Sequence, residues 1–173
     1  MLHIVLYEPL IPQNTGNIMR TCVGISAKLH LIEPLGFSLE DKYLKRSHLD
    51  YFDNLNFEVH KDFNEFLSKN KGPFFFLTRY GKHVYTEVNF KEYRDKDVYL
   101  IFGKETTGVD RHLLKENLDK TFRIPTTDKV RSLNLSNTVA LVAYEYLRQL
   151  DFPGLSKEEP ETLKGKHFLE EYE

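Results

Sequence analysis

The stretch that decides the fold reads FFFLT, from Phe74 to Thr78. Four apolar side chains in a row would cover both faces of a strand, because successive residues point to opposite sides of the sheet. Strands buried on both faces are typical of parallel sheets that are covered by helices on each side. The run therefore predicts a central strand of a parallel sheet.

Similar short apolar runs recur on both sides of this stretch and alternate with segments of helical spacing. This alternation predicts an α/β fold, in which a parallel β-sheet is flanked by helices. Because the segment after Pro153-Gly154 is highly charged, we expect one domain over residues 1–155 and an acidic tail over 156–173. The other predicted strands are 3–7, 28–33, 57–60, 98–102 and 121–124, and the predicted helices follow Asn14, Asp62 and Asp110 and cover 137–150.

Charge is unevenly distributed along the chain. The net charge is −2, but residues 156–173 hold three Lys and six Glu, which leaves +1 on the rest. A nucleic-acid surface must then be a local patch, although an ordinary solvated face is the simpler interpretation of any single cluster. The candidate patches are Lys42, Lys45, Arg46 and His48; Arg79, Lys82 and His83; and Lys129 with Arg131.

The composition argues against several other classes of protein. Cys22 is the single cysteine, so an internal disulfide is excluded. No apolar run approaches the roughly 20 residues that span a bilayer, and no signal-like leader opens the sequence. The seven histidines are scattered without the spacing of metal ligands, so we expect no metal site. These features predict a reduced, soluble, cytoplasmic protein without a membrane partner.

Three polar loops adjoin predicted strands, and open parallel sheets bind ligands beyond the carboxyl ends of their strands. The first, NTGNIMR at 14–20, places Asn17 and Arg20 on one face of a helix. The second, GKETTG at 103–108, has glycine at both ends, but it lacks both the P-loop and the dinucleotide-binding patterns. The third, RSLNLSN at 131–137, has five polar residues, more than a helix cap needs. These loops are candidates for a ligand site.

Each loop alone also fits an ordinary structural role. The polar residues from Asn14 onward offer N-cap chemistry for the first helix. Glu105 fits a cap for the helix that begins near Asp110, and Ser136 or Asn137 fits a cap for the last helix. Only the three loops together favour a functional site.

In their order, spacing and strand contexts, the three loops together resemble the signature motifs of the SPOUT class of RNA methyltransferases. The resemblance is closest to the small tRNA (cytidine/uridine-34)-2′-O-methyltransferases and covers nearly everything except the acidic tail. Relatives often carry Pro where this chain has Lys104, which leaves the loop less rigid but removes no expected contact. Further matching segments are 2–9, 31–37, 49–51, 144–145 and 153–154.

The resemblance implies a deep C-terminal trefoil knot that holds S-adenosylmethionine in a bent conformation. The implied reaction transfers a methyl group from the sulfonium to a ribose 2′-oxygen of the wobble nucleotide of tRNA and leaves S-adenosylhomocysteine. The cofactor-binding residues implied by position are Leu77, Thr78, Gly103, Ile124, Ser132, Leu133 and Leu135.

The catalytic residue that the resemblance implies is Arg20, with Asn14, Ser132 and Asn134 nearby. A guanidinium stays protonated in proteins, with a pKa of about 12.5–13.8, so a role as free base is unfavourable. We expect Arg20 instead to stabilise the nascent 2′-alkoxide or to bind the adjacent phosphate.

The resemblance also implies a homodimer that binds the anticodon stem-loop of tRNA, with the first and last helices at the interface. Apolar residues of these helices fit either that interface or the core of one chain. Alternative hypotheses are the same chemistry on rRNA or another tRNA site, a catalytically inactive RNA-binding relative, and a generic nucleotide-binding protein. The apolar residues in question are Ile18, Val23, Val139, Val142 and Tyr146.

Overall fold

The apolar runs form one parallel sheet in the computed structural model, which describes residues 1–40, 42, 44 and 51–172. The strands are β1 (Leu2–Tyr7), β2 (Lys28–Ile32), β3 (Phe57–His60), β4 (Phe74–Leu77), β5 (His83–Val84), β6 (Val98–Phe102) and β7 (Thr121–Arg123). They pair in the order β3-β2-β1-β6-β4-β7-β5, and every pair is parallel. The parallel sheet predicted from the sequence is thus confirmed, with β4 between β6 and β7.

Helices cover both faces of the sheet. Ile4 and Leu6 of β1 belong to one core, whereas Val5 between them belongs to the core on the other face. This division follows from the alternation of side chains along a strand. The first core includes residues of α1 (Pro12–Gly24) and α4 (Leu135–Gln149), and the second includes residues of α2 (Phe63–Lys69) and α3 (Arg111–Glu116). Among the described residues, no helix is both long and apolar enough to cross a membrane.

Most of the predicted elements form within two residues of their expected ends. Asp62 and Asp110 cap α2 and α3, because each aspartate side chain accepts hydrogen bonds from the first turn of its helix. Lys45, Arg46 and His48, three members of a predicted basic patch, lie outside the described residues.

The apolar residues of α1 and α4 that fit either a dimer interface or a core are mostly core. Ile18 and Val139 are fully buried within one chain, and Val142 and Tyr146 are nearly so. Only Val23 is half-buried. Four of the five therefore have no surface to offer to a second copy.

Three histidines that look scattered in the sequence form a buried chain in the fold. His3, His30 and His60 lie on neighbouring strands, with 2.9 Å between His3 Nδ1 and His30 Nε2 and 2.9 Å between His30 Nδ1 and His60 Nε2. Burial lowers the pKa of all three rings, that of His30 to about 3. The three histidines are therefore uncharged in the folded protein at neutral pH.

Both ends of this histidine chain approach a carboxylate. His3 Nε2 lies 3.4 Å from Asp97 Oδ1, and His60 Nδ1 lies 4.0 Å from Glu58 Oε1. His30, His60 and Glu58 each place one potential metal-ligand atom within 4.8 Å of the others, so the expectation of scattered histidines fails here. Glu58, however, already forms ion pairs with two lysines, Lys28 at 3.0 Å and Lys69 at 3.5 Å.

Candidate active site

The first two polar loops meet through one carboxylate. Glu105 accepts hydrogen bonds from the backbone N–H groups of Leu10 (2.8 Å) and Ile11 (3.0 Å) and from Asn14 Nδ2 (3.2 Å). Helix α1 begins at Pro12, and its N-cap residue Ile11 has no side-chain cap. The interpretation of the residues from Asn14 onward as a cap of this helix is therefore wrong. The alternative interpretation of Glu105 as a cap of α3 is wrong too, because Asp110 caps that helix. The carboxylate that holds the start of α1 comes from a loop that is distant in sequence.

The first and third loops meet through two asparagines. Asn134 Nδ2 donates a hydrogen bond of 3.0 Å to Asn14 Oδ1, and Asn134 Oδ1 accepts from Ser136 N (2.9 Å) and Asn137 N (3.4 Å). Asn134 is thus the N-cap of α4, a position that the sequence assigns to Ser136 or Asn137. The Glu105 carboxylate can only accept, so Asn14 must present its NH₂ to Glu105 and its oxygen to Asn134. This network fixes the orientation of both amides.

The three loops enclose one cavity of about 410 Å³ at the carboxyl ends of β4, β6 and β7. Its walls combine apolar side chains, such as Leu77 and Ile124, with hydroxyl and amide groups. All the residues that the resemblance implies for cofactor binding line it, namely Leu77, Thr78, Gly103, Ile124, Ser132, Leu133 and Leu135, and so do Asn14 and Asn134. The sequence therefore predicts correctly which segments converge.

A close backbone contact shapes the second loop. A Cβ atom at Gly103 would lie 2.3 Å from the carbonyl carbon of Gly108 and from the nitrogen of Val109, so only glycine fits. The loop returns on itself through a hydrogen bond of 3.0 Å from Gly108 N to Lys104 O. Lys104 forms an ion pair with Glu8 that ties the loop to the end of β1.

Arg20 does not line this cavity. It is exposed on α1, and its Cζ lies 6.0 Å from the ring centroid of Tyr51. The Tyr51 hydroxyl donates a hydrogen bond of 3.1 Å to Gly16 O. Asn14, Ser132 and Asn134 thus come together at the cavity, whereas Arg20 lies apart from them in a single chain.

The mouth of the cavity holds residues that sequence reasoning missed. Arg111, Arg123 and the aromatic Tyr80 line it, together with Arg79 and Arg131, which belong to predicted basic patches. Arg111 and Arg123 stand alone in the sequence, one at the start of a helix and the other at the end of a strand. Only the fold reveals that they converge.

A parallel sheet with helices on both faces and a cavity beyond the carboxyl ends of its strands defines an α/β ligand-binding protein. Residues 1–144 match the model of the SpoU rRNA Methylase family, and the chain belongs to this family.

Relatives at high identity carry names for one activity. An Escherichia coli (strain K12) protein named tRNA (cytidine(34)-2′-O)-methyltransferase is 45% identical over 156 residues, which cover 89% of this chain and 97% of that protein. A Listeria monocytogenes serotype 4b (strain F2365) protein carries the same name provisionally and is 52% identical over 157 residues, which cover 90% of this chain and 92% of that protein.

Two solved structures share the fold over most of their length. A Bacillus anthracis protein superposes with a TM-score of 0.86 at 50% identity, over 92% of this chain and all of that one. A structure described as giving insights into the 2-OH methylation of C/U34 on tRNA superposes with a TM-score of 0.76 at 39% identity, over 87% and 97% of the two chains.

Proposed function

We propose that this chain is an S-adenosylmethionine-dependent 2′-O-methyltransferase that acts on the ribose of nucleotide 34 of tRNA, either a cytidine or a modified uridine. Membership of a methylase family and the names of relatives that span nearly the whole chain support this function. The observation that carries the proposal is the one cavity shared by Gly103, Ile124 and Ser132, which come from three of the segments implied to bind cofactor.

The cavity fits the proposed cofactor in size and chemistry. Its volume lies in the range of pockets that hold small organic ligands, which are largely apolar with a few placed polar groups. Leu77, Ile124 and Leu133 would contact the adenine faces, and the backbone from Gly103 and Ser132 would bind its polar edges. When bound, S-adenosylmethionine supplies an electrophilic methyl group on its sulfonium. This chain's task is then to orient the ribose hydroxyl and to ease its deprotonation.

The amide network positions the polar groups that meet the ribose. Asn14 is 6% exposed and held from both sides by Glu105 and Asn134, so it offers a fixed dipole rather than a mobile one. Ser132 is exposed at the cavity and free to bind the sugar or its phosphate. Arg20 supplies the permanent positive charge that stabilises the developing 2′-alkoxide or binds the neighbouring phosphate.

A second copy of the chain brings Arg20 into the site in this proposal. Arg20 lies on the exposed face of α1, and the neighbouring helix α4 exposes Leu141 (39%) and Tyr144 (49%). These apolar side chains, rather than the buried Val139 and Val142, form the proposed dimer interface. In a Leu141→Lys variant, sedimentation should show dissociation to monomers, and transfer should be lost with it. A Leu141→Lys monomer with full activity would refute the dimeric site.

The remaining features of the proposal concern the chain as a whole. Residues 1–155 form one methyltransferase domain with a deep trefoil knot, and residues 156–173 form an acidic tail. The strand order supports the knot, because β6 enters between β1 and β4, and β7 enters between β4 and β5.

The protein works in the cytoplasm, where tRNA is modified. We also propose that no metal takes part: the group of potential metal ligands found among the described residues, His30, Glu58 and His60, does not line the cavity, and its Glu58 is already paired with lysines.

The test is single-turnover methylation of an anticodon stem-loop by an Arg20→Ala variant, beside a cofactor titration. We expect transfer to fall by about 100-fold or more, the cost of removing one group that stabilises a transition-state charge, with cofactor affinity unchanged. Arg20→Lys should recover little, because a point charge does not replace the planar fork. Arg94→Ala, an exposed arginine outside the site, serves as control. A fully active Arg20→Ala variant would refute the assigned role.

Because the family description names rRNA, rRNA fragments belong in the same assay. Transfer to rRNA but not to tRNA would replace the proposed substrate. Binding of RNA without any transfer would instead indicate an inactive relative.

A further inference from the structure

Tyr80 stands at the cavity mouth with two cations against its ring. The side chain is 53% exposed, and Cζ atoms of Arg79 and Arg111 lie 5.2 and 5.7 Å from its ring centroid. A large aromatic side chain left exposed beside a ligand cavity is not explained by core packing. Stacking on a planar partner is the interaction for which such a ring is suited.

The backbone holds Tyr80 in a rigid turn after β4. Tyr80 N donates to Thr78 Oγ1 (3.3 Å), and Gly81 N donates to Thr78 O (3.1 Å). Gly81 packs against β7 so closely that a Cβ atom there would lie 2.2 Å from the carbonyl carbon of Phe122. The turn is therefore fixed to the sheet, so the backbone of Tyr80 loses little conformational entropy when its exposed ring binds a partner.

Four arginines surround the same mouth without an acidic partner. Arg79, Arg111, Arg123 and Arg131 all line the cavity and are exposed, and none forms an ion pair within the described part of the chain. By contrast, Arg148 binds Glu145 at 2.8 Å. In a protein of net charge −2, this concentration of unpaired positive charge marks a site for an anion.

The proposed cofactor does not account for this charge. S-adenosylmethionine carries a sulfonium and an ammonium against one carboxylate, so a ring of arginines opposes its net charge. An RNA strand carries one negative charge on each phosphate, and its unpaired bases stack on aromatic side chains and arginine planes. A basic rim with an exposed tyrosine thus matches the substrate rather than the methyl donor.

We propose that Tyr80 is the stacking platform for a base of the substrate RNA, next to the methylated ribose, and that Arg79, Arg111, Arg123 and Arg131 bind the flanking phosphates. The inference rests on the proposed function, because it assigns the substrate surface of the same cavity. Tyr80 is a positioning residue in this account, and it takes no part in the methyl transfer itself.

Tyr80→Ala tests the platform in two assays on the intact protein. In steady-state methylation of an anticodon stem-loop, we expect KM for the RNA to rise about tenfold, the usual effect of losing one stacked base, with kcat and cofactor affinity unchanged. Tyr80→Phe should restore the wild-type KM, because the ring remains. Tyr172→Ala, in the tail and 72% exposed, is the matched control and should change nothing.

Fluorescence anisotropy of a labelled stem-loop measures the platform independently of transfer. Tyr80→Ala should weaken binding about tenfold, and Arg111→Gln or Arg123→Gln should each lower the slope of log affinity against log salt by about 0.7. Unchanged RNA affinity in Tyr80→Ala would overturn the inference, and so would a loss of cofactor affinity, which would make Tyr80 a wall of the cofactor site. If the wild type binds the stem-loop in this way but transfers no methyl group, the proposed function fails while the platform stands.

Discussion

Glu105→Gln tests whether one carboxylate joins the first two loops. The side chain accepts three hydrogen bonds, from Leu10 N, Ile11 N and Asn14 Nδ2, and it adds a negative charge at the start of α1. A glutamine of the same shape has one accepting oxygen and one NH₂ group, so at least one of these three donors must face the NH₂ group instead of an acceptor. Losing one charge-assisted bond costs about 1.5–3 kcal/mol, and losing the charge at the helix start adds about 0.3–1 kcal/mol.

Because Ile11 N lies at the surface, where water replaces part of the loss, we expect the free energy of unfolding to fall by about 2 kcal/mol. For a chain of this length, this corresponds to a Tm lower by about 4–8 °C. Urea unfolding at neutral pH measures the difference, with Glu116→Gln, an exposed position on α3, as control. Methyl transfer should also fall, because the network that orients Asn14 loses the charge of the carboxylate. Equal midpoints for Glu105→Gln and the wild type would refute the assigned role of this carboxylate.

Two further predictions concern the loop contact and the histidine chain. Gly103→Ala should lower cofactor affinity by at least about tenfold, because its Cβ would overlap the Gly108–Val109 backbone. Gly24→Ala is the control and should leave the affinity unchanged, because no atom lies within 4 Å of a Cβ at that position. Equal cofactor affinities of Gly103→Ala and the wild type in calorimetry would contradict the close contact. In the unfolded chain, the His30 ring takes up a proton below about pH 6.5. In the folded protein the same ring is buried, has a pKa of about 3 and stays neutral at that pH. The contribution of His30 to the free energy of unfolding should therefore be highest above that pH and fall by about 2 kcal/mol between about pH 7.5 and about pH 5. Urea midpoints that stay constant across this window would count against uncharged histidines in the folded protein.

The sheet was predictable because its evidence is local. Runs such as Phe74–Leu77 and Val98–Phe102 carry the preference for a buried strand in their own residues, and Asp62 and Asp110 cap the helices that follow them directly. The convergence of the loops was predictable from the rule that parallel strands end at one edge.

The contacts that cross the sequence were not predictable from spacing. The start of α1 is held by Glu105, more than ninety residues away, so a search for a local cap selects the wrong residues. Apolar residues at helical spacing look the same whether they face a core or a partner, and Val139 proves to face the core. His3, His30 and His60 align only because their strands are neighbours in the sheet.

The most direct test of the account is mass spectrometry of nucleotide 34 after unmodified tRNA pools are incubated with the protein and S-adenosylmethionine. The account predicts a methyl group on the 2′-oxygen of a cytidine or modified uridine at that position, and less of it with the Gly103→Ala variant at a limiting concentration of S-adenosylmethionine. A methyl group on a base, at another nucleotide or only on rRNA would contradict the assigned substrate. No transfer to any RNA would contradict the activity itself.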